Sequence, residues 1–179
     1  MTHVYLGIGS NLGDRAAMVC AALGLLAARV GEIIAISSLY ETEPWGITEQ
    51  PRFLNAACAL ETALGPHELL ATLQEIETAL GRAPTVRYGP RMLDLDILLY
   101  GDLQLDTPLL TIPHAGMLAR STVLVPLAEI APWVRHPLTA RTVREHLADL
   151  GPTPDVAPYP PGLPPKACPS HALPEPRES

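Results

Sequence analysis

Apolar positions recur along this chain with two periods, near two and near 3.6 residues, and their order predicts its elements. Val4-Tyr5-Leu6-Gly7-Ile8-Gly9 reads as a first strand. Residues 16–30 are rich in alanine and leucine with helical spacing, and Gly31 stops them. Asn11 and Asp14 are the candidate N-caps of that helix. Residues 33–40 form a β-branched strand and residues 53–62 another; between them two prolines and a glycine in residues 41–51 predict a long loop. A second helix covers residues 66–80, with Pro66 in its first turn and Gly81 just past its end. Further on, Ile112-Pro113-His114 leads into the apolar run 120–130, and residues 140–150 read as a short last helix begun by Thr139 or Thr142. Strand-helix-strand twice over is the order of an α+β, ferredoxin-like fold: an antiparallel sheet with helices packed on one face, here extended at the C-terminus.

The clearest alternation lies in residues 93–100. Leu93, Leu95, Ile97 and Leu99 fall on one face of the strand, and Asp94, Asp96, Leu98 and Tyr100 on the other. Strand geometry sets the Asp94 and Asp96 backbones ~6.6 Å apart on that second face. Two carboxylates so placed among apolar neighbours repel each other and lose hydration, so a cation must compensate them. Divalent metal does so, and Arg87 and Arg91 stand just before the strand. The ordinary alternative is a wetted polar face with arginine counter-ions, but aspartate is disfavoured in strands and here occurs twice in three residues. Carboxylates for Mg²⁺ with arginines for phosphate are the outfit of phosphoryl transfer.

Charge and composition narrow the choice. With 179 residues, 47% hydrophobic and a net charge of −7, the chain has enough material for one core and lacks the basic field of a nucleic-acid coat. The only lysine is Lys166; residues 1–150 carry ten arginines and no lysine, which excludes a Walker phosphate loop and a lysine Schiff base. Gly7, Gly9 and Gly13 miss the dinucleotide-binding spacing and read as turn glycines. Cys20, Cys58 and Cys168 are widely spaced, as incidental thiols of a cytoplasmic protein are. Neither a signal sequence nor a membrane span is expected. Ten of the 20 prolines lie in residues 152–179. That composition predicts a catalytic domain at 1–150 and a disordered tail at 151–179 whose removal leaves activity intact.

Taken together, Gly9-Ser10-Asn11-Leu12-Gly13-Asp14-Arg15, Glu41-Thr42-Glu43-Pro44-Trp45-Gly46, Phe53-Leu54-Asn55, Gly89-Pro90-Arg91, Leu93-Asp94-Leu95-Asp96-Ile97 and Pro113-His114 with Arg120 occur in one order. In that order they resemble the 6-hydroxymethyl-7,8-dihydropterin pyrophosphokinases of folate biosynthesis over residues 3–135. The resemblance implies transfer of pyrophosphate from ATP to the hydroxymethyl oxygen of the pterin, with AMP released. It implies two Mg²⁺ ions bound with ATP by Asp94 and Asp96, and a catalytic set of Arg82, Arg91, Asp94 and Asp96. It places Gln74, Glu77, Arg82, Arg87, Arg91, Ile97, Thr111, His114 and Arg120 around ATP. Thr42, Pro44, Trp45, Phe53, Asn55 and Asp94 fall around the pterin. Net charge and the lack of a long apolar run predict no nucleic-acid or membrane partner, and a monomer is expected.

The chain departs from the family pattern in three places. Thr122 stands where an aromatic commonly closes the second face of the pterin, and Ala115 follows His114 where an aromatic is frequent. Residues 83–86 lack the usual basic side chains, so weaker loop contacts to ATP are expected. Two rival readings use the same Asp-x-Asp differently. A non-catalytic ferredoxin-like module predicts no ATP turnover, and a sugar transferase needs a doubly wound nucleotide domain this chain has no length for.

Overall fold

A computed structural model describes residues 1–44, 49–82 and 89–160. The elements run β1 (Thr2–Ser10), α1 (Arg15–Arg29), β2 (Gly31–Ile36), β3 (Tyr40–Thr42), β4 (Phe53–Thr62), α2 (Pro66–Ala79), β5 (Asp94–Tyr100), β6 (Leu105–Asp106) and β7 (Thr111–Ile112). A 3₁₀ turn at Met117–Ala119, α3 (Ser121–Ile130), α4 (Val143–Leu150) and β8 (Val156–Pro158) complete them. Asp14 caps α1, its carboxylate accepting the Ala17 N–H at 3.0 Å. Thr142 opens α4 in a reciprocal capping box with Glu145.

The main sheet is antiparallel, in the order β5-β1-β4-β3-β8, with β2 also on β4. β2 pairs the C-terminal half of β4 and β3 its N-terminal end, so the predicted strand 33–40 is two stretches along one neighbour. Leaving aside the appended β3 and β8, the order β5-β1-β4-β2 is that of the ferredoxin-like fold. A two-stranded ribbon, β6 with β7, lies apart from it.

Helices cover both faces of the sheet, where the sequence suggested one. On the first, Leu6, Ile8, Leu54, Leu60, Leu95 and Ile97 pack with Leu23 and Leu26 of α1 and with Leu69, Leu73 and Ile76 of α2. On the second, Ala57, Leu98 and Leu99 meet Leu124 and Leu127 of α3 and Val143 of α4. Part of the cause is a β-bulge. The β1–β5 register passes from Tyr5↔Leu99 to Leu6↔Ile97, leaving Leu98 as an extra residue. Beyond a bulge the alternation reverses. Leu99 therefore joins Leu98 in the second cluster while Tyr100 packs with the first, contrary to the simple alternation.

The folded part also continues past residue 150. β8 pairs antiparallel with β3, Tyr40 opposite Pro158 and Thr42 opposite Val156. The expected boundary is thus too early: proline content there masks a short edge strand, where a missing N–H is tolerated. Residues 161–179 lie outside the described residues, as does Cys168. Cys58 is a free, fully buried thiol pushed up to about 12 by burial, whereas Cys20 takes part in a disulfide and is not an incidental thiol. Among the described residues no helix is long and apolar enough to cross a membrane.

Candidate active site

α3 and α4 cover only part of the second face, and the remainder is the floor of a cleft of about 240 Å³. Sheet register lays that floor out in rows. Gly9 on β1 pairs with Asn55 of β4 on one side and Asp94 of β5 on the other. One row along, Gly7 pairs with Ala57 and Asp96. The two carboxylates are therefore separated from the amide of Asn55 by bare backbone. A Cβ at Gly9 would stand 2.9 Å from Asn55 Oδ1 and 3.8 Å from the Phe53 ring. Gly7 and Gly9 are floor residues within a strand, not turn glycines. Gly13, at φ +64°, does make the turn.

At the β5 end the charges are tied together. Arg91 Nη1 donates to Asp94 Oδ2 at 2.6 Å, and Arg82 Nη1 lies 3.4 Å from Asp94 Oδ1. Arg82 also pairs with Glu77. Glu77, 3% exposed, faces inward from α2 and accepts the Leu95 N–H at 2.8 Å. Burial pushes its carboxyl above the usual range, opposed by that N–H and by Arg82. Asp96 is likewise raised, first by burial and then by Asp94, while His114, Arg120 and Arg91 oppose the shift. His114 follows the cis Ile112–Pro113 bond. Its Nδ1 accepts the Gly116 N–H at 3.2 Å, so the proton of the neutral ring sits on Nε2, 3.9 Å from Asp96 Oδ1. Arg91 Nε is buried and has no hydrogen-bond acceptor among the described residues.

The opposite wall is neutral where it meets the floor. Asn55 Nδ2 donates to Thr42 Oγ1 at 2.7 Å, and Phe53 pairs in register with Thr42 beside them. Arg120, Thr122 and Val123, from the start of α3, complete the lining.

Of the residues singled out from the sequence, Thr42, Phe53, Asn55, Arg91, Asp94, Asp96, His114 and Arg120 line the cleft together. Arg82 and Glu77 stand behind them through Asp94 and the Leu95 backbone. Four do not line it. Gln74 is exposed on α2, and Pro44 is buried beyond the cleft lining. Ile97 has its side chain in the first core, opposite Leu6, and so turns away from the cleft. Thr111 lies on the separate ribbon and donates to Asp106 Oδ1 at 3.1 Å. Trp45, Arg87 and the loop 83–86 fall outside the described residues.

One contributor escaped the sequence reading, and two were read in a different role. Gly116 was missed because its role is to be bare: a Cβ there would come within 3.3 Å of the Arg120 guanidinium. Asn11 was a candidate N-cap, but Asp14 caps α1 and Asn11 bonds elsewhere. It is 1% exposed, accepts the Arg91 N–H at 2.7 Å and donates to Gln50 Oε1 at 2.9 Å and Pro51 O at 3.0 Å. Glu77 was placed around ATP by the resemblance, and its burial went unread although its place beside the apolar Leu73 and Ile76 was a clue.

Comparison with known proteins converges on one group. The family model described as 7,8-dihydro-6-hydroxymethylpterin-pyrophosphokinase (HPPK) matches residues 5–132. The chain is 49% identical over 154 residues to the 2-amino-4-hydroxy-6-hydroxymethyldihydropteridine pyrophosphokinase of Methylorubrum extorquens, covering 86% of this chain and 96% of that protein. With the Pseudomonas aeruginosa protein of the same name it shares 48% over 137 residues, or 75% and 84% of the two chains. The solved structure of wild-type Plasmodium falciparum HPPK-DHPS with pteroate superposes with a TM-score of 0.70 at 18% identity. That match covers 83% of this chain and 42% of the other, so it speaks for the fold alone and for less than half of the larger protein.

Proposed function

The chain belongs to the 7,8-dihydro-6-hydroxymethylpterin-pyrophosphokinase family, and we propose that it works through the side chains gathered at the end of β5. It transfers the pyrophosphoryl group of ATP to the hydroxymethyl oxygen of 6-hydroxymethyl-7,8-dihydropterin in folate biosynthesis. The oxygen bonds to the β-phosphorus, the bond from that phosphorus to the oxygen bridging to the α-phosphate breaks, and AMP leaves. Negative charge grows on that bridging oxygen and on the transferred phosphoryl oxygens, so the protein's work is positioning and charge stabilisation.

The donor set fits Mg²⁺ brought in with the nucleotide. Among the described residues no group of three or more His, Cys, Asp or Glu side chains is arranged to hold a metal. Mg²⁺ is commonly held by one or two carboxylates and completes its shell with water and phosphate oxygens. Asp94 and Asp96 supply those two, and in Asp96 burial and Asp94 outweigh His114, Arg120 and Arg91, so its charged form is only partly compensated. Two Mg²⁺ ions held there would neutralise phosphoryl oxygens and orient them for in-line transfer.

The other roles follow from what each side chain has to give. Arg91 holds Asp94 through Nη1 and keeps Nε, buried and without an acceptor among the described residues, for a phosphate oxygen. Arg82 bridges Glu77 and Asp94, and would be available to phosphate with Asp94 engaged in holding metal. His114 offers the Nε2 proton that Gly116 fixes by occupying Nδ1, and Arg120 adds positive charge beside Asp96. On the pterin side Phe53 gives a ring face and Asn55 an amide whose donor end is already set by Thr42. The observation that carries the reading is the row Asp94–Gly9–Asn55, which puts the metal-binding carboxylate and the pterin-binding amide either side of bare backbone.

The experiment is AMP release from ATP and Mg²⁺ with and without the hydroxymethyl-dihydropterin. Release that needs the pterin and stops with EDTA supports the reading. Pterin-independent hydrolysis, or turnover unchanged in Asp94→Asn and Asp96→Asn, overturns it. The metal count, the monomeric state and a cytoplasmic setting belong to the same proposal; equilibrium metal binding with an ATP analogue, sedimentation and cell fractionation check them.

A further inference from the structure

We infer that the strand β8 and its flanks, residues 155–159, are a positioning element for the pterin-binding wall, with Asp155 as the residue that joins the two sides of the cleft. The inference rests on the reading of the wall given above and concerns a stretch beyond the family match, which ends at residue 132.

β3 is only three residues long, and its one internal partner is β4. So short a strand has few ladder bonds of its own, and its other edge would be open. β8 fills that edge residue for residue, from Tyr40↔Pro158 to Thr42↔Val156. Thr42 ends β3 and its hydroxyl accepts from Asn55, so the strand that fixes Thr42 also fixes the orientation of the Asn55 amide. The hold continues beyond the ladder. Asp155 O accepts the Glu43 N–H at 3.2 Å, where the chain leaves β3 along the cleft. The Asp155 carboxylate accepts the Ser121 hydroxyl at the first residue of α3. Ser121 lies between Arg120 and Thr122, which line the cleft from the start of α3. One residue thereby spans both walls, its backbone on one and its side chain on the other.

Tyr159 extends the same hold to the far end of the loop. Its N–H donates to Leu39 O at 2.9 Å, and the Arg15 guanidinium lies 5.5 Å from its ring centre. Arg15 pairs with Glu41 Oε1 at 2.9 Å and donates to Arg52 O at 2.9 Å, just before Phe53. Both roots of the segment that carries the pterin wall are therefore tied to residues 155–159. For residues 155–159, the expectation that the chain after Leu150 is dispensable gives way to a positioning role.

The test uses the full chain with Asp155→Ala, Ser121→Ala, the double variant and Asp155→Asn, measuring KM for the pterin and for ATP together with Tm. Asp155→Ala should raise the pterin KM about two- to tenfold, the worth of one net hydrogen bond, with the ATP KM within about twofold. Ser121→Ala should do the same and the double variant no more, since both remove one interaction. Asp155→Asn keeps a side-chain acceptor and should remain near wild type. An unchanged pterin KM in Asp155→Ala overturns the inference. So does a parallel rise of both constants with a fall in Tm, the mark of a merely structural contact. Failure of the wild type to form pterin-dependent AMP would instead remove the functional reading beneath it.

Discussion

The two sides of the cleft are held by different physics. On the side proposed for phosphate, Arg82, Arg91, Glu77 and Asp94 neutralise one another, with Glu77 anchored to the Leu95 backbone from within the core. On the pterin side, Thr42 and Asn55 meet through a neutral hydrogen bond, and Phe53 is placed by strand register. A charge cluster can exchange partners: an arginine that faces a carboxylate in the empty protein can face phosphate when metal takes the carboxylate. A register cannot be exchanged without slipping a strand. In the proposed reading, the adaptable interactions lie where charge moves during the reaction and the fixed ones where a flat, rigid ring is recognised.

The sharpest way to break this comparison is to remove one charge. Asp96→Asn preserves shape and should lower kcat about 10²–10³-fold, with Asp94→Asn in the same range, because each removes charge stabilisation at the reacting phosphate. AMP release at saturating substrates measures it, and pterin affinity in Asp96→Asn should move by less than about threefold. If pterin affinity falls as far as kcat, the two sides are not separable. On the other side, Phe53→Ala should weaken pterin binding by about 1–3 kcal/mol, the range of aromatic stacking on a base. Titration with an ATP analogue should show nucleotide affinity unchanged; equal losses for both ligands would merge the two regions.

The same division explains what could be read from the sequence. The phosphate side announces itself through Asp94 and Asp96 at spacing two, arginines nearby and no lysine, because charge in an apolar strand is locally anomalous. On the pterin side, Phe53 looks like a core residue and Asn55 like any strand polar until the family pattern singles them out. Elements came through where pattern and propensity agree, as in β4 and α2. Three features did not, each set by a partner distant in sequence. The bulge at Leu98 depends on pairing with β1, the burial of Glu77 on Arg82 and the Leu95 N–H, and the strand at Val156–Pro158 on an open edge at β3. Proline-rich composition argued for disorder there, and a free edge outweighed it.

A smaller effect should follow from adding a methyl group between the two sides. Gly9 is bare so that Asn55 can lie across it, and the Cβ of Gly9→Ala would meet Asn55 Oδ1 at 2.9 Å. The amide must turn off Thr42 to make room. Pterin affinity should fall about tenfold or less, as for one hydrogen bond, while ATP affinity and the fold persist. A loss of ATP affinity of the same size would show the methyl acting on the Asp94 side of the row instead.

The mildest test concerns pH, and it too should separate the regions. Thr42, Phe53 and Asn55 carry no titrating group, whereas Glu77 is a buried carboxyl raised by its burial. A carboxyl with a folded-state pKa above its unfolded value, ~4.3 for glutamate, binds more protons in the native state than in the unfolded one. Its contribution is fully present below the unfolded value and is lost as pH rises through the folded one. Wild-type stability should therefore decline across that window. Glu77→Gln keeps an acceptor for the Leu95 N–H and removes the titration, so its Tm should decline less steeply there. The difference is a few degrees at most, since about 1 kcal/mol moves the midpoint of a domain this size by about 2–4 °C. Asp96, raised in the same sense, keeps the slope from vanishing. A slope as steep in Glu77→Gln as in wild type would mean that the Arg82 pairing, and not burial, governs the Glu77 carboxyl. The phosphate side would then be as settled without ligand as the pterin side.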